Sequence, residues 1–158
     1  GNLDDVDWRF GDATGLIRVN GLVTDSRIHA TGHIAGLYLG GSIRSDYLGG
    51  VLAPVNDRRA TQAADFVDYL ATTDGIGYIN IVGRGDPAEV LLADSNFSGG
   101  TIGMAYLANY LTADTYTVSV LHPETNITGI SYRDLSNPLN NWLWYPGLGP
   151  APAELVLV

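Results

Sequence analysis

Apolar residues recur at every second position in four short segments of the chain. The segments 14–21 (TGLIRVNG), 34–41 (IAGLYLGG), 76–83 (IGYINIVG) and 102–109 (IGMAYLAN) align without gaps. Their fourth and sixth positions are apolar in every copy, and their last position is Gly or Asn, which both tolerate a positive φ angle. This alternation predicts a strand with one buried face, followed by a turn.

A second, shorter motif follows three of these segments. It reads DSRIHATG from Asp25, SDYLGG from Ser45 and DSNFSGG from Asp94, with polar residues leading into an apolar residue and then a glycine. The apolar residues of the three copies are assigned as Ile28, Leu48 and Phe97. Each repeat unit is therefore predicted to consist of a strand, a turn, a short strand and a second turn.

The spacing of the copies indicates how the units are arranged. They begin 20, 42 and 26 residues apart, and a period of about 20 to 26 residues suits one coil of a β-solenoid. Because one coil cannot bury its apolar stripe alone, we expect a mostly β protein in which a short β-solenoid, similar to a parallel β-helix, spans residues 14–109. The alternative is an antiparallel β-sandwich built from the same strands and turns.

The 42-residue interval contains the one segment that predicts a helix. Residues 57–72 (DRRATQAADFVDYLAT) lack Gly and Pro, and their apolar residues recur at helical spacing. We expect this inserted helix to lie on the flank of the solenoid or to cover one of its ends. All of these parts are assigned to a single domain, 1–158.

Residues 110–158 are predicted to form a C-terminal β extension. Residues 115–121 (TYTVSVL) and 127–132 (ITGISY) alternate well enough to pair as a hairpin across the intervening loop. The final residues, 154–158 (ELVLV), form a short apolar strand that must pair with the chain's own sheet or with the edge of a neighbouring molecule.

Charge and composition exclude several classes of function. The net charge is −9, and all eight basic residues are arginines. A face basic enough to neutralise phosphates is therefore not expected, which argues against nucleic-acid binding and against anionic membrane surfaces. The chain has no cysteine for a disulfide or a thiolate metal site, and no apolar run approaches the length of a membrane span.

No catalytic motif stands out, so we expect no enzymatic activity. The best group is Arg84, Asp86 and Glu89 in VGRGDPAEV, which could serve a polysaccharide lyase or hydrolase, although a solvated salt bridge is the plainer interpretation. Asp4, Asp5 and Asp7 are acidic enough to suggest a calcium site, but solubilising charge explains them as well. No cofactor is expected, with calcium left open.

The segment NNWLWYPG places Trp142 and Trp144 on one side of an extended chain, and Leu143 and Tyr145 on the other. Such residues seal the edge of a core or form a subunit contact, and they can also stack on sugar rings, as in a carbohydrate-binding module. The candidate subunit-contact residues are Trp142, Trp144, Tyr145, Leu155, Val156 and Leu157.

The segments IGYINIVG and DSNFSGGTIG resemble the β-solenoid repeats of large bacterial secreted and cell-surface proteins. The resemblance implies an extracellular or cell-surface structural role. Stacked strands with exposed edges favour self-association into a homo-oligomer or filament, because head-to-tail contacts propagate. The alternatives are a carbohydrate-binding module that uses Trp142, Trp144 and Tyr145 to bind glycans, or a polysaccharide-cleaving enzyme.

Overall fold

The computed structural model describes residues 1–50, 74–83, 91–108, 120–149 and 156–157. These residues form strands almost throughout, with one 3-10 turn at Pro138–Asn140. The strands are β1 (Leu3–Asp4), β2 (Asp7–Phe10), β3 (Thr14–Thr24), β4 (Arg27–Ala30), β5 (Ile34–Ile43), β6 (Asp46–Gly49), β7 (Gly75–Ile81), β8 (Leu92–Ala93), β9 (Asn96–Ala108), β10 (Val120–Arg133), β11 (Trp142–Trp144) and β12 (Val156–Leu157).

Strands of successive repeats lie side by side in parallel. Thr14 pairs with Ile34, Ile34 with Ile76 and Ile76 with Ile102, so the alignment of the four segments is confirmed as the register of the sheet. Every pairing among the described strands is parallel except that of β10 with β11. The protein is therefore mostly β, with parallel strands in one curled sheet that is consistent with a β-solenoid-like fold, and the antiparallel sandwich is wrong for these strands.

The 42-residue interval separates two strands that are neighbours in the sheet. β5 and β7 pair directly, although their aligned segments begin 42 residues apart, about twice the 20-residue spacing of the segments in β3 and β5. Gly50 and Asp74, the described residues on either side of this interval, lie close together, since a Cβ atom on Gly50 would lie 2.8 Å from Asp74 Cβ. Gly50 has a φ angle of 73°, which glycine adopts at no steric cost. The predicted helix at residues 57–72 lies outside the described residues.

β10 contains a fifth copy of the repeat. Ile127 pairs with Ile102 and Ile130 with Ala105, which extends the register of the first four copies. The segment ITGISY also has apolar or aromatic residues at the first, fourth and sixth positions. The stack of strands therefore continues into residues 110–158, which were expected to form a separate extension.

The predicted C-terminal hairpin is wrong over the part that the structure describes. β10 is one strand that follows β9 in parallel and shifts register between Pro123 and Asn126. Proline cannot donate to the ladder and therefore favours a turn at PETN, whereas the strand accommodates Pro123 through a β-bulge. The antiparallel partner of the second half of β10 is β11, not residues 115–121.

An incomplete coil precedes the first aligned segment. Leu3 of β1 pairs with Val23, and Trp8 of β2 pairs with Ile28. The segment DVDW from Asp5 thus occupies the same place as DSRI in the next coil. Sequence alignment missed it because Val6 stands where the later copies have serine.

The core consists of the inward-facing residues of these coils, and Tyr47 has an unexpected place in it. Tyr47 pairs with Ile28 and Phe97, so it occupies the position that the alignment gave to Leu48. Its ring stacks on that of Phe97 with a centroid separation of 4.8 Å and an interplanar angle of 5°. Burial of one such side chain contributes roughly 1.5–3 kcal/mol.

The turns before these short strands stack on one another in a left-handed conformation. The φ angles of Asp5, Asp25, Arg44 and Asp94 are 53°, 47°, 49° and 48°. Asp is among the few residues other than glycine that adopt this conformation routinely, which explains its recurrence here. The positive φ angles expected at the last position of the long segments are observed only at Gly83 among the described glycines of that position.

Candidate functional site

β11 carries the aromatic residues predicted for a subunit contact. Trp142 lies opposite Tyr132 and Trp144 opposite Ile130. Both tryptophans are half-buried against the core, and the rings of Trp142 and Tyr132 are 5.4 Å apart. Trp144 Nε1 donates a hydrogen bond to the carbonyl oxygen of Gly149 at 3.2 Å. The two indole rings therefore pack at one edge of the core, while their part in a subunit contact remains a prediction.

The alternate residues of this segment face the solvent. Leu143 is 51% exposed, and Tyr145 is 41% exposed. The ring of Tyr145 lies over Gly129, where a Cβ atom would come within 2.7 Å of Tyr145 Cδ1. Of the predicted contact residues that the structure describes with their side chains, Tyr145 is thus the most accessible.

The C-terminal strand β12 pairs within the chain. Val156 lies beside Val120 and Leu157 beside Leu121, in parallel with β10. Leu155 lies outside the described residues. A contact between subunits through residues 155–157 remains a prediction.

The outward-facing residues of the long strands form a second surface, here named the outer face. Arg18, Tyr38, Asn80, Tyr106 and Ser131 are neighbours in successive strands. A parallel column two residues earlier is formed by Leu16, Gly36, Tyr78, Met104 and Gly129. The sequence held a signal for this surface, because the tyrosines fall at the third and fifth positions of the aligned segments.

Two tyrosine rings of the outer face lie against glycines. A Cβ atom on Gly36 would come within 2.5 Å of Tyr78 Cζ, so only glycine leaves room for that ring. Tyr145 covers Gly129 in the same way. Each ring is therefore held close to the backbone of the sheet. Met104 lies on β9, the strand between β7 and β10.

The other column presents two more tyrosines. The Arg18 guanidinium carbon lies 4.6 Å from the centroid of the Tyr38 ring, within range of a cation–π interaction. Tyr106 is 48% exposed, and it is the most accessible tyrosine among the large apolar and aromatic side chains of the described residues. The outer face is thus aromatic along most of its length.

An open cavity of ≈ 310 Å³ lies at the end of this column. Its apolar lining includes Ile81 and Leu107. Its polar side chains are an amide, a phenol, a hydroxyl and a guanidinium: Asn80, Tyr106, Ser131 and Arg133. Arg133 is exposed, and its guanidinium group carries several N–H donors.

The first coil leaves an open edge, here named the N-terminal edge and formed by β1, β2 and residues 14–19 of β3. Among the described strands β2 pairs only with β4, and residues 14–19 pair only with β5. An apolar hollow of ≈ 460 Å³ at β2 is lined by Asp7, Trp8, Arg9 and Phe10. Trp8 is 39% exposed.

A third cavity, of ≈ 320 Å³, is polar and lies along the stacked turns. Arg44 pairs there with Asp25, with Arg44 Nε donating to Asp25 Oδ1 at 2.8 Å, and Arg27 Nη2 lies 3.6 Å from Asp46 Oδ2. In the described ranges, no three His, Asp or Glu side chains are grouped so that they could hold a metal ion. Asp4, Asp5 and Asp7, which the sequence suggested as calcium ligands, do not form such a group, and calcium binding remains a prediction.

The remaining candidates give no further site. Arg84, Asp86 and Glu89 lie outside the described residues, so the polysaccharide-cleaving alternative rests on the sequence alone. The structure has, over the ranges it describes, no helix long and apolar enough to cross a membrane. In comparisons with protein-family models, with curated proteins and with solved structures, none matched this chain.

Proposed function

We propose that this chain is an extracellular or cell-surface structural protein, a short β-solenoid that self-associates end to end. The N-terminal edge is the observation that carries the proposal. In the described strands, residues 14–19 and β2 have a parallel neighbour on one side only, so backbone N–H and C=O groups on the other side face outward. Exposed edges of this kind pair with further strands unless they are covered.

Exposed apolar side chains at the N-terminal edge also favour its being covered by a second copy. Trp8 and Leu16 are 39% and 53% exposed, and the hollow beside Trp8 is large enough to receive an apolar side chain. Tryptophan is among the residues enriched at the centres of protein interfaces. Burial of these two side chains by another coil would add hydrophobic stabilisation to the backbone hydrogen bonds.

The partner surface is the C-terminal end of a second copy. It contains the segments proposed as subunit contacts, residues 142–145 and 155–157, with β12 at the end of the described pairing. Contact between two different ends is heterologous, and it generates a filament when the rotation between copies does not close a ring. Trp142 and Trp144 are half-buried in their own chain, so Tyr145 and the C-terminal strand are the stronger contributors to the contact.

Light scattering together with negative-stain electron microscopy over a range of concentrations tests the proposal. We expect masses well above the monomer mass of 16.8 kDa and elongated particles at high concentration. Trp8→Arg places a charge in the hollow and is expected to shift the protein to monomers, whereas Tyr106→Ala on the outer face should leave association unchanged. Monomers of the unmodified protein at every concentration would overturn the proposal.

A further inference from the structure

The outer face combines aromatic platforms with a polar cavity, which is the chemistry of a carbohydrate-binding surface. We infer that it binds a neutral glycan chain, whose sugar rings stack on Tyr78, Tyr106 and Tyr145 while Asn80 and Arg133 hydrogen-bond its hydroxyl groups. This site does not include the N-terminal edge. It shares only Tyr145 with the segment proposed as a subunit contact and with the tryptophan site that the sequence suggested.

The close approach of two rings to glycines is the first observation. Tyr78 lies against Gly36 and Tyr145 lies against Gly129, so close that a Cβ atom on either glycine would collide with the ring. A ring held in this way loses little conformational entropy when a ligand stacks on it. The apolar faces of pyranose rings suit such a platform.

The spacing of the rings is the second observation. The Tyr78 ring reaches over β5 and the Tyr145 ring over β10, which are three strand steps apart in the sheet, or ~14 Å. Tyr106 lies on β9, between these two strands, but in the neighbouring column of the outer face, two residues further along. Three rings spread over several strands suit a chain of several sugar units better than a single monosaccharide.

The adjoining cavity supplies directional contacts. The Asn80 amide both donates and accepts hydrogen bonds, the Ser131 hydroxyl does the same, and the Arg133 guanidinium donates. All three line the ≈ 310 Å³ cavity beside Tyr106. A few polar groups placed beside an apolar wall are the usual composition of a small-ligand site.

Charge decides between a neutral and an acidic glycan. The chain carries a net charge of −9, which repels a polyanion at distances up to about the Debye length. The outer face has Arg18 at one end, where it is engaged with Tyr38, and the cavity has Arg133 at the other. Two separated guanidinium groups do not offset that charge along an acidic polymer, so the ligand is neutral.

Isothermal titration calorimetry of the full chain with cellohexaose and chitohexaose tests the inference, with hexagalacturonate as the acidic comparison. We expect binding of at least one neutral oligosaccharide and weaker or undetectable binding of the acidic one. Tyr106→Ala should weaken binding roughly three- to tenfold, the range of one aromatic stacking contact. Tyr78→Phe should retain the affinity, since it keeps the ring.

Leu139→Ala is the control, because Leu139 is an exposed apolar side chain that belongs to neither the outer face nor the N-terminal edge, and its removal should leave glycan affinity unchanged. Circular dichroism of each variant separates loss of binding from loss of fold. Absence of binding to both neutral oligosaccharides, or equal effects of Leu139→Ala and Tyr106→Ala, would overturn the inference. Loss of self-association in Tyr106→Ala without glycan binding would instead make the outer face a lateral contact between copies.

Discussion

Ser26 and Ser45 are joined across adjacent coils, with the Ser26 amide donating to Ser45 Oγ at 3.1 Å. The Ser45 hydroxyl in turn donates to its own chain at the carbonyl oxygen of Ile43, at 3.0 Å. Ser95 repeats the arrangement one coil further on, where it accepts from the Ser45 amide at 3.4 Å. Each serine therefore satisfies backbone groups of two neighbouring turns in a buried environment.

Replacement of the middle serine is expected to destabilise the stack. Ser45→Ala leaves the Ser26 amide without its acceptor, whereas the Ile43 carbonyl keeps the hydrogen bond from the Asp25 amide at 3.2 Å. An unsatisfied buried donor costs roughly 1–3 kcal/mol. We therefore expect a fall of about that size in the free energy of unfolding, measured by urea titration. Ser136→Ala is the control, because the Ser136 hydroxyl bonds to Asp134 in an exposed loop. Equal stability of the two variants would contradict the account of the serine contacts.

Tyr47 is expected to make stability sensitive to alkaline pH. Burial raises the pKa of Tyr47 above its ordinary value of 10.0, an effect opposed by hydrogen bonds between Tyr47 and the side chains of Ser42 and Ser45. Because the pKa is higher in the folded state, the unfolded state loses its proton first. The stabilising contribution is thus complete below about pH 10 and declines as the pH rises further. Urea titrations between pH 8 and pH 11 should show this decline, and Tyr47→Phe should reduce it.

A larger residue at Gly103 is expected to destabilise the protein, because neighbouring strands approach closely there. A Cβ atom at Gly103 would collide with the carbonyl oxygen of Gly77 in the adjacent coil. We expect Gly103→Ala to lower the free energy of unfolding by about 1–3 kcal/mol through forced backbone shifts. At Gly15 a Cβ atom would meet nothing within 4 Å, so Gly15→Ala should be neutral or slightly stabilising. A thermal melt in which both variants lose stability equally would argue against close stacking of the coils.

Asp134 organises the loop that leads into β11. Hydrogen bonds from the Ser136 side chain and then the Asn140 side chain, with a backbone hydrogen bond from Asn137, lower the pKa of Asp134 from 3.8 to about 2. A lowered folded-state pKa means that the contribution to stability is present above about pH 4 and is lost as the pH falls towards 2. Titration of the carboxyl carbon by NMR should show the low pKa. Asn140→Ala should raise it, and an unchanged value would contradict this geometry.

Much of the architecture was predictable because the repeat is carried by side chains that face the core. The register of Ile34, Ile76 and Ile102 followed from alignment alone. The first and fifth copies were missed for local reasons, since Val6 replaces a serine in one and Pro123 precedes the other. The alignment also assigned the core position to Leu48 and not to Tyr47, because leucine is the more hydrophobic of the two. Hydrophobicity does not show that the buried Tyr47 hydroxyl is hydrogen-bonded to Ser42 Oγ at 2.8 Å.

The candidate sites were harder to anticipate. The outer face depends on which glycines lie beneath tyrosine rings, and Gly129 and Tyr145 become neighbours only through the antiparallel pairing of β10 with β11. The N-terminal edge is set by the position of the first repeat. The alignment did not reveal that repeat, because Val6 replaces the serine that follows Asp in the later copies. Trp142 and Trp144 were correctly placed on one side of an extended segment, and the structure shows that this side faces the core.

Hydrogen–deuterium exchange of the full chain at low and high concentration tests self-association through the N-terminal edge most directly. Amides of residues 7–19 that face away from the sheet should exchange fast when dilute and become protected as concentration rises, and Trp8→Arg should abolish that protection. Exchange of residues 7–19 that is the same at all concentrations, in a sample whose light-scattering mass does increase, would contradict the account.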